Sequence, residues 1–225
     1  MSQCVIQVIN PNTSLAMTET IGEAARRAAA PGTDILAICP SQGVPSIEGH
    51  FDEAVATLGV LEQVRLGREQ GVSGHVIACF GDPGLLATLV ATRFSIVTTL
   101  PRTLIIARHL LQRYGFEHHC AALHAIDLPV LALEDGQGLA QHKVREMCIQ
   151  AKRQDGAGAI VLGCGGMADL AQALTQELGI PVIDGVGAAV KMVESLVGLG
   201  LTTSKHGDLD YPLDKPLTGA FGALR

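Results

Sequence analysis

HVIACFGDPG, residues 75–84, and AIVLGCGGM, residues 159–167, each carry an apolar run into a cysteine and then into glycines. Short, continuously apolar runs of this kind read as strands buried on both faces, and the change to Cys-Gly marks the carboxyl end of each. Five further runs have the same character: VIQVIN, TDILAIC, FSIVTT, LPVLAL and IPVID, with helical patterns between most of them. This alternation predicts an α/β fold of parallel sheets flanked by helices.

The helices follow from apolar spacing. Residues 52–70 place Val55, Leu58, Leu61, Val64 and Leu66 on one stripe, and residues 139–154 and 186–199 behave similarly. Asn12, Thr13 and Ser14 offer capping side chains for a helix starting near Leu15, and Pro101 stands where a helix start tolerates proline.

The two Cys-Gly turns are paired by a second motif. VINPNTS and IVTTLPRT each end a strand in a polar turn ahead of a helix; Asn12 precedes Cys79 by 67 residues and Thr98 precedes Cys164 by 66. The expectation is an internal duplication: two similar lobes related by a pseudo-twofold axis, residues 1–93 with 201–225 forming the first and 94–200 the second. Ligands of open parallel sheets bind beyond the carboxyl ends of the strands, so Cys79 and Cys164 are expected to face one cleft between the lobes. The copies differ in length: 36 residues separate Cys164 from Gly200, whereas 14 separate Cys79 from Arg93, leaving the first lobe about 22 residues short near Ala87 and Thr88. Either a segment has been lost there or the protein carries residues beyond these 225. Losing a strand and helix would expose a packed core, which favours the second alternative, and an intact mass distinguishes the two.

Composition narrows the function. The 225 residues are 48% hydrophobic, enough to fill a sizeable core. The net charge is −6 with no basic run, so a nucleic-acid or anionic-membrane partner is not expected. The start, MSQCVIQV, reads as a strand rather than a leader, and the most apolar late stretch is interrupted by Lys191 and Glu194, so a cytoplasmic protein is expected. Aromatic residues make up 3% and Trp is absent, which points to a small site without a stacking surface. Six cysteines, Cys4, Cys39, Cys79, Cys120, Cys148 and Cys164, occur singly without a C-x-x-C pair and read as thiols.

A thiol at a strand end, followed by a glycine turn and a helix start, sits where unpaired N–H groups favour negative charge. Its pKa is therefore expected to fall below the usual ~8.5, giving a thiolate that can act as a base. Two such groups on opposite sides of one carbon can invert it: one removes the α-proton and the other returns a proton to the far face. The backbone N–H groups of Phe80, Gly81, Gly165 and Gly166, the hydroxyls of Thr98 and Thr99 and the amide of Asn12 are the candidates for holding the oxygens where charge develops. No cofactor is required if the carbanion is delocalised into an adjacent carbonyl.

Most single cysteines are small buried hydrophobes, and Cys4, Cys39, Cys120 and Cys148 are read that way. Cys39 also ends a strand, but it precedes a proline and has no counterpart in the second copy. His118, His119 and His124 match no strong zinc spacing, so no metal site is expected. DGVGAAVKM carries a partial G-x-G after a strand, with Val190 where a dinucleotide fingerprint needs its third glycine. Lys191, Lys205 and His206 are assigned to surface or subunit contacts.

Taken together, NPNTS, CPSQGVPSIEGHFDE, CFGDPG, VTTLPRT, GCGGM and PVIDGV resemble the hydantoin racemase branch of the aspartate/glutamate racemase superfamily, over essentially the whole chain. Within that branch the motifs are most similar to those of members acting on allantoin. The resemblance implies cofactor-independent racemisation by a cysteine pair at Cys79 and Cys164, a place in purine catabolism, and commonly a homo-oligomer. It adds Pro11 and Asn12, Thr98 and Thr99, and the glycines after Cys164 as substrate-holding turns. The short first lobe departs from the pattern. Racemisation of other 5-substituted hydantoins is the near alternative, and a decarboxylase on this scaffold would need one cysteine only. A ligand sensor that merely closes its lobes is the non-enzymatic alternative.

Overall fold

The structure, a computed structural model, describes residues 4–79, 85–134, 138–213, 215 and 218. Two parallel sheets form, one from each copy. In the first, β1 (Cys4–Ile9) lies between β2 (Thr33–Ile38) and β3 (Gly74–Ile77). In the second, β4 (Phe94–Thr98) lies between β5 (Cys120–Ala125) and β6 (Ala159–Leu162), and β7 (Val182–Asp184) pairs with the outer edge of β6. β1, β2 and β3 thus repeat as β4, β5 and β6. β7 has no counterpart in the first sheet among the described residues.

The central strands are apolar because both faces are covered. Ile6, Val8 and Ile9 of β1 and Phe94, Ile96 and Val97 of β4 have no solvent exposure. α1 (Leu15–Ala28) starts where expected: the Ser14 side chain accepts the Met17 N–H at 3.1 Å, and Ile21, Ala24 and Ala25 pack inward. The remaining helices are α2 (His50–Glu69), α3 (Leu85–Val90), α4 (Leu104–Tyr114), α5 (Leu139–Gln154), α6 (Ala171–Leu178) and α7 (Gly185–Gly198). A single 3₁₀ turn, Pro101–Thr103, leads into α4, and another, Gly165–Leu170, into α6.

Two sequence expectations are corrected. LPVLAL is not a strand: Val130–Glu134 is a 3₁₀ run, in which Val130 and Leu133 are buried one turn apart. The strand in that part of the chain is CAALHA (Cys120–Ala125), whose alanines gave little β-propensity. On α2 the buried face is Ala56, Val60 and Gly67, whereas Leu58 and Leu61 are 41% and 52% exposed. Close approach selects that face: a Cβ on Gly67 would lie 2.2 Å from the Gln7 side chain, and one on Gly59 2.7 Å from Pro40.

The helices cross between the copies. Val186 and Val190 of α7 belong to the core of the first sheet, with Ile6, Val8 and Val76. Ala87 of α3 belongs to the core of the second, with Phe94, Ile96 and Val161. Outside the sheets, Tyr211 stacks against Arg68 of α2 at 4.7 Å.

Candidate active site

The carboxyl ends of four strands meet in one cleft. β1 delivers Asn10, Pro11 and Asn12, β3 delivers Ala78 and Cys79, β4 delivers Thr98 and Thr99, and β6 delivers Gly163, Cys164 and Gly165. All of these residues line a cavity of about 70 Å³. The copies position their cysteines alike: the residue before each donates its N–H to the neighbouring strand, Ala78 to Ile9 O and Gly163 to Val97 O, both at 2.8 Å. Pro11, Asn12, Thr98 and Thr99 are buried.

Glycine brings the two turns together. A Cβ on Gly165 would stand 3.2 Å from the carbonyl oxygen of Ala78 and 3.2 Å from Ile21 Cδ1. Gly166 lies behind the thiol rather than in the cleft: its Cβ position abuts Leu133 at 3.0 Å, and its N–H bonds the Cys164 sulfur. Phe80 and Gly81 lie outside the described residues.

Polar groups around the cleft are fixed by a network centred on Asn10. Its Nδ2 donates to Asn12 Oδ1 at 2.8 Å, to Thr18 Oγ1 at 3.0 Å and to the Ser14 carbonyl at 3.1 Å. Asn12 Oδ1 also accepts the Ser14 N–H, which leaves Asn12 Nδ2 with the sulfur of Met17 at 3.3 Å. Thioether sulfur is a weak acceptor, so this amide N–H is readily given to a ligand oxygen. Thr98 Oγ1 donates to the Gly163 carbonyl at 3.1 Å, tying the two turns of the second lobe.

The segment between β2 and α2 forms one wall. Thr13 N and Oγ1 both donate to Val44 O, and Glu48 Oε1 accepts the Val130 N–H at 3.1 Å, bridging to the second copy. Ile47, Gly49 and Glu53 reach the cavity in consequence, and Thr103, Ile106 and Val130 close it from the second copy. Asn10, Ile47 and Glu53 are among the lining residues that sequence reasoning passed over. Asn10 had a signal, an amide ending an apolar run, whereas Ile47 on its loop and Glu53 at the start of α2 had none without the chain's path.

The electrostatics of Cys164 run opposite to expectation. Burial pushes its thiol up to about 12; the Gly166 N–H opposes this, while Cys79, Glu134 and Glu48 add to it. Near neutral pH Cys164 is a thiol, suited to giving a proton. Cys79 is exposed by comparison, and no disulfide involves any of the six cysteines. Of the histidines considered for metal, His124 Nε2 lies 2.7 Å from Asp155 and His119 Nδ1 lies 3.2 Å from Thr92 O. Among the described residues no group of three or more His, Cys, Asp or Glu could hold a metal ion, and no helix is long and apolar enough to cross a membrane.

Comparison with known proteins gives a consistent picture. The family description Asp/Glu/Hydantoin racemase matches residues 6–88 and 85–193, two overlapping spans that together take in most of the chain. The hydantoin racemase of Rhizobium meliloti is 43% identical over 234 positions, covering 95% of this chain and 97% of that protein. Since 95% of 225 residues is about 214, about 20 positions of that alignment have no residue in this chain. Among solved structures, allantoin racemase from Klebsiella pneumoniae superposes with a TM-score of 0.95 at 73% identity, covering 98% of each chain. Allantoin racemase from Pseudomonas fluorescens superposes with a TM-score of 0.87 at 36% identity, covering 96% of this chain and 100% of the other.

Proposed function

The chain belongs to the Asp/Glu/hydantoin racemase family, whose members are isomerases, and from that premise we propose that it interconverts the enantiomers of allantoin by two-base proton transfer between Cys79 and Cys164. The observation that carries the reading is the meeting of both strand-end thiols in one cleft.

One thiolate takes the proton from the substrate's ring carbon, and the electron pair of that C–H bond moves into the adjacent carbonyl to give an enolate. The opposite thiol then gives its proton to the other face of the same carbon. The product leaves with inverted configuration, and the two sulfurs have exchanged protonation states, ready for the reverse enantiomer. The high proton affinity of Cys164 suits it to start as the acid, which makes Cys79 the first base. Asn12 Nδ2, the Thr99 hydroxyl and the Gly165 N–H are the donors for the enolate oxygen.

Allantoin fits the lining: a small ring with a polar ureido arm meets Asn10, Asn12, Thr98, Thr99 and Glu53. Hydantoins with other 5-substituents are the second reading, favoured by the apolar groove that also reaches both thiols. The enzyme is further proposed to work in the cytoplasm, in purine catabolism, as a homo-oligomer; the outward leucines of α2, Leu58 and Leu61, supply an apolar contact face.

The test is to incubate one pure enantiomer of allantoin with the protein in deuterated water, following optical rotation and deuterium at the ring carbon. Rotation decaying to zero with deuterium gained supports the proposal. Deuterium uptake with rotation retained means one face only is served, and sinks the paired-thiol mechanism. Activity confined to other 5-substituted hydantoins moves the substrate to the second reading.

A further inference from the structure

The motif CPSQGVPSIEGHFDE (residues 39–53) forms one wall of the cleft, yet the proton transfer uses none of its side chains. Ile47, Gly49 and Glu53 are the parts of it that line the cavity. Among the described lining residues Glu53 carries the one carboxylate, and no Lys, Arg or His stands beside it. A carboxylate here works against the chemistry. Negative charge rests on a sulfur and then on the substrate's ring, and a fixed charge of the same sign opposes both. Helix capping does not account for Glu53 either: Asp52 accepts the Glu48 N–H at 2.9 Å and already places an acid in the first turn of α2. Besides burial, the groups that raise the Cys164 thiol are Cys79, Glu134 and Glu48; Glu53, on the same cavity, weighs on it less than these.

The carboxylate is held in place and half committed. His50 Nδ1 meets its Oε2 at 2.9 Å from the preceding turn position of the same helix, and among the described residues nothing takes Oε1. The hydroxyls nearest in kind are spoken for, since Thr98 donates to the Gly163 carbonyl and Thr103 to that of Leu100. The strand ends thus offer donors to oxygens, while the α2 wall offers an acceptor to N–H groups. We infer that Glu53, oriented by His50, selects the substrate's 5-substituent, its Oε1 accepting the N–H groups of a ureido arm. An alkyl or aryl arm leaves that oxygen unmet, and a site built to hydrogen-bond a substituent discriminates against the analogue that lacks it. The inference rests on the racemase reading and narrows its substrate: the thiols act on any hydantoin ring, and Glu53 favours the one with a urea-like arm.

The experiment compares allantoin with 5-isobutylhydantoin, whose arm has the ureido shape without its N–H groups, on the full chain and on Glu53→Leu, Glu53→Gln and His50→Ala. Polarimetry gives kcat and KM, and calorimetric titration of each racemic compound gives Kd without net turnover. Glu53→Leu should lower the ratio of kcat/KM for allantoin to that for 5-isobutylhydantoin about ten- to a hundredfold, the worth of a hydrogen bond to a charged group. The loss should fall chiefly on KM for allantoin. Glu53→Gln keeps an acceptor oxygen and should recover part of the ratio, and His50→Ala should lose part of it. An equal fall with both compounds places Glu53 at the ring or in the chemistry, and an unmoved ratio leaves it without a part in selection; either overturns the inference. The racemase reading fails separately. Allantoin that binds the wild type at least tenfold tighter than Glu53→Leu, with neither compound racemised, upholds the inference and removes that reading. Racemisation of both compounds with the ratio unmoved does the reverse, and no binding of either compound overturns both.

Discussion

Gly165 stands against the backbone of Ala78 so closely that a Cβ would lie 3.2 Å from the Ala78 carbonyl oxygen. Each residue is the chain neighbour of one of the paired cysteines, so the spacing of the two thiols is set by the missing side chain at 165. Gly165→Val inserts a branched side chain into this contact and against Ile21. We expect a loss of about 1–3 kcal/mol in stability and a fall in kcat larger than any change in KM, with Gly165→Ala a milder version of both. Denaturant titration and polarimetric kinetics check the two halves.

Cys79→Ser and Cys164→Ser should each lower racemisation by about 10²–10⁴-fold, the usual worth of a positioned proton-transfer group. Each variant keeps one thiol, so each should retain slow deuterium exchange into one enantiomer and not the other, with the preference reversed between the two. Full activity in either single variant would refute the two-base assignment.

Alkaline pH should destabilise the fold through its enclosed thiols. Burial pushes Cys148 and Cys164 up to about 12 and Cys120 up to about 11, from an ordinary value of 9.0. A raised folded-state pKa means that the native chain holds its proton more tightly than the unfolded one. The stabilisation is therefore complete below about pH 9 and is lost as pH climbs through 11 to 12, at up to about 1.4 kcal/mol per pH unit for each thiol. Unfolding midpoints between pH 8 and 11 should fall steadily, and Cys148→Ala, remote from the cleft, should flatten the slope.

Asn10→Ala removes the donor to Asn12, Thr18 and the Ser14 carbonyl at once. Leaving a buried acceptor unmet costs about 1–3 kcal/mol, and the Asn12 amide loses its fixed aim. Weaker substrate binding should accompany lower stability, measured as a raised KM and a shifted denaturation midpoint. Asn10→Asp keeps an oxygen but no donor and should not rescue it.

Asp155 provides the contrast. Its Oδ2 receives the Ser95 hydroxyl and faces His124 Nε2, both at 2.7 Å, and none of the three lines the cleft. Asp155→Ala should lower stability by about 1–3 kcal/mol and leave kcat and KM of the folded fraction unchanged. A change in kinetics would show these three residues and the cleft to be coupled.

How far these features could be read beforehand depended on whether the determinant was local. The central strands and α5, α7 and the start of α1 followed from runs of buried side chains and a serine cap, which the chain carries in sequence order. The buried face of α2 did not, because it is chosen by clearance: Gly59 and Gly67 admit Pro40 and Gln7, and the larger leucines turn outward. β5 was hidden for a related reason, since CAALHA is held by its neighbour β4 rather than by its own propensity. At the site, repetition singled out Cys79 and Cys164, whereas Ile47 arrives on a loop whose path is set by Val44 and Glu48, and Glu53 on the first turn of α2 behind it. The proton affinity of Cys164 was read with the wrong sign, because a motif displays a helix start but not the depth at which its sulfur is enclosed.

The crossing of α3 and α7 between the sheets bears on where such a chain comes from. A single copy of the repeating unit, standing alone, would send its last helix away from its own sheet and leave the face beneath it bare. Two identical copies would repair one another by trading that helix, so the unit is viable only as a swapped pair. In this protein the pair is written into one polypeptide. Fusion frees each half to change without its mate, while the traded helices still hold the two halves to one another.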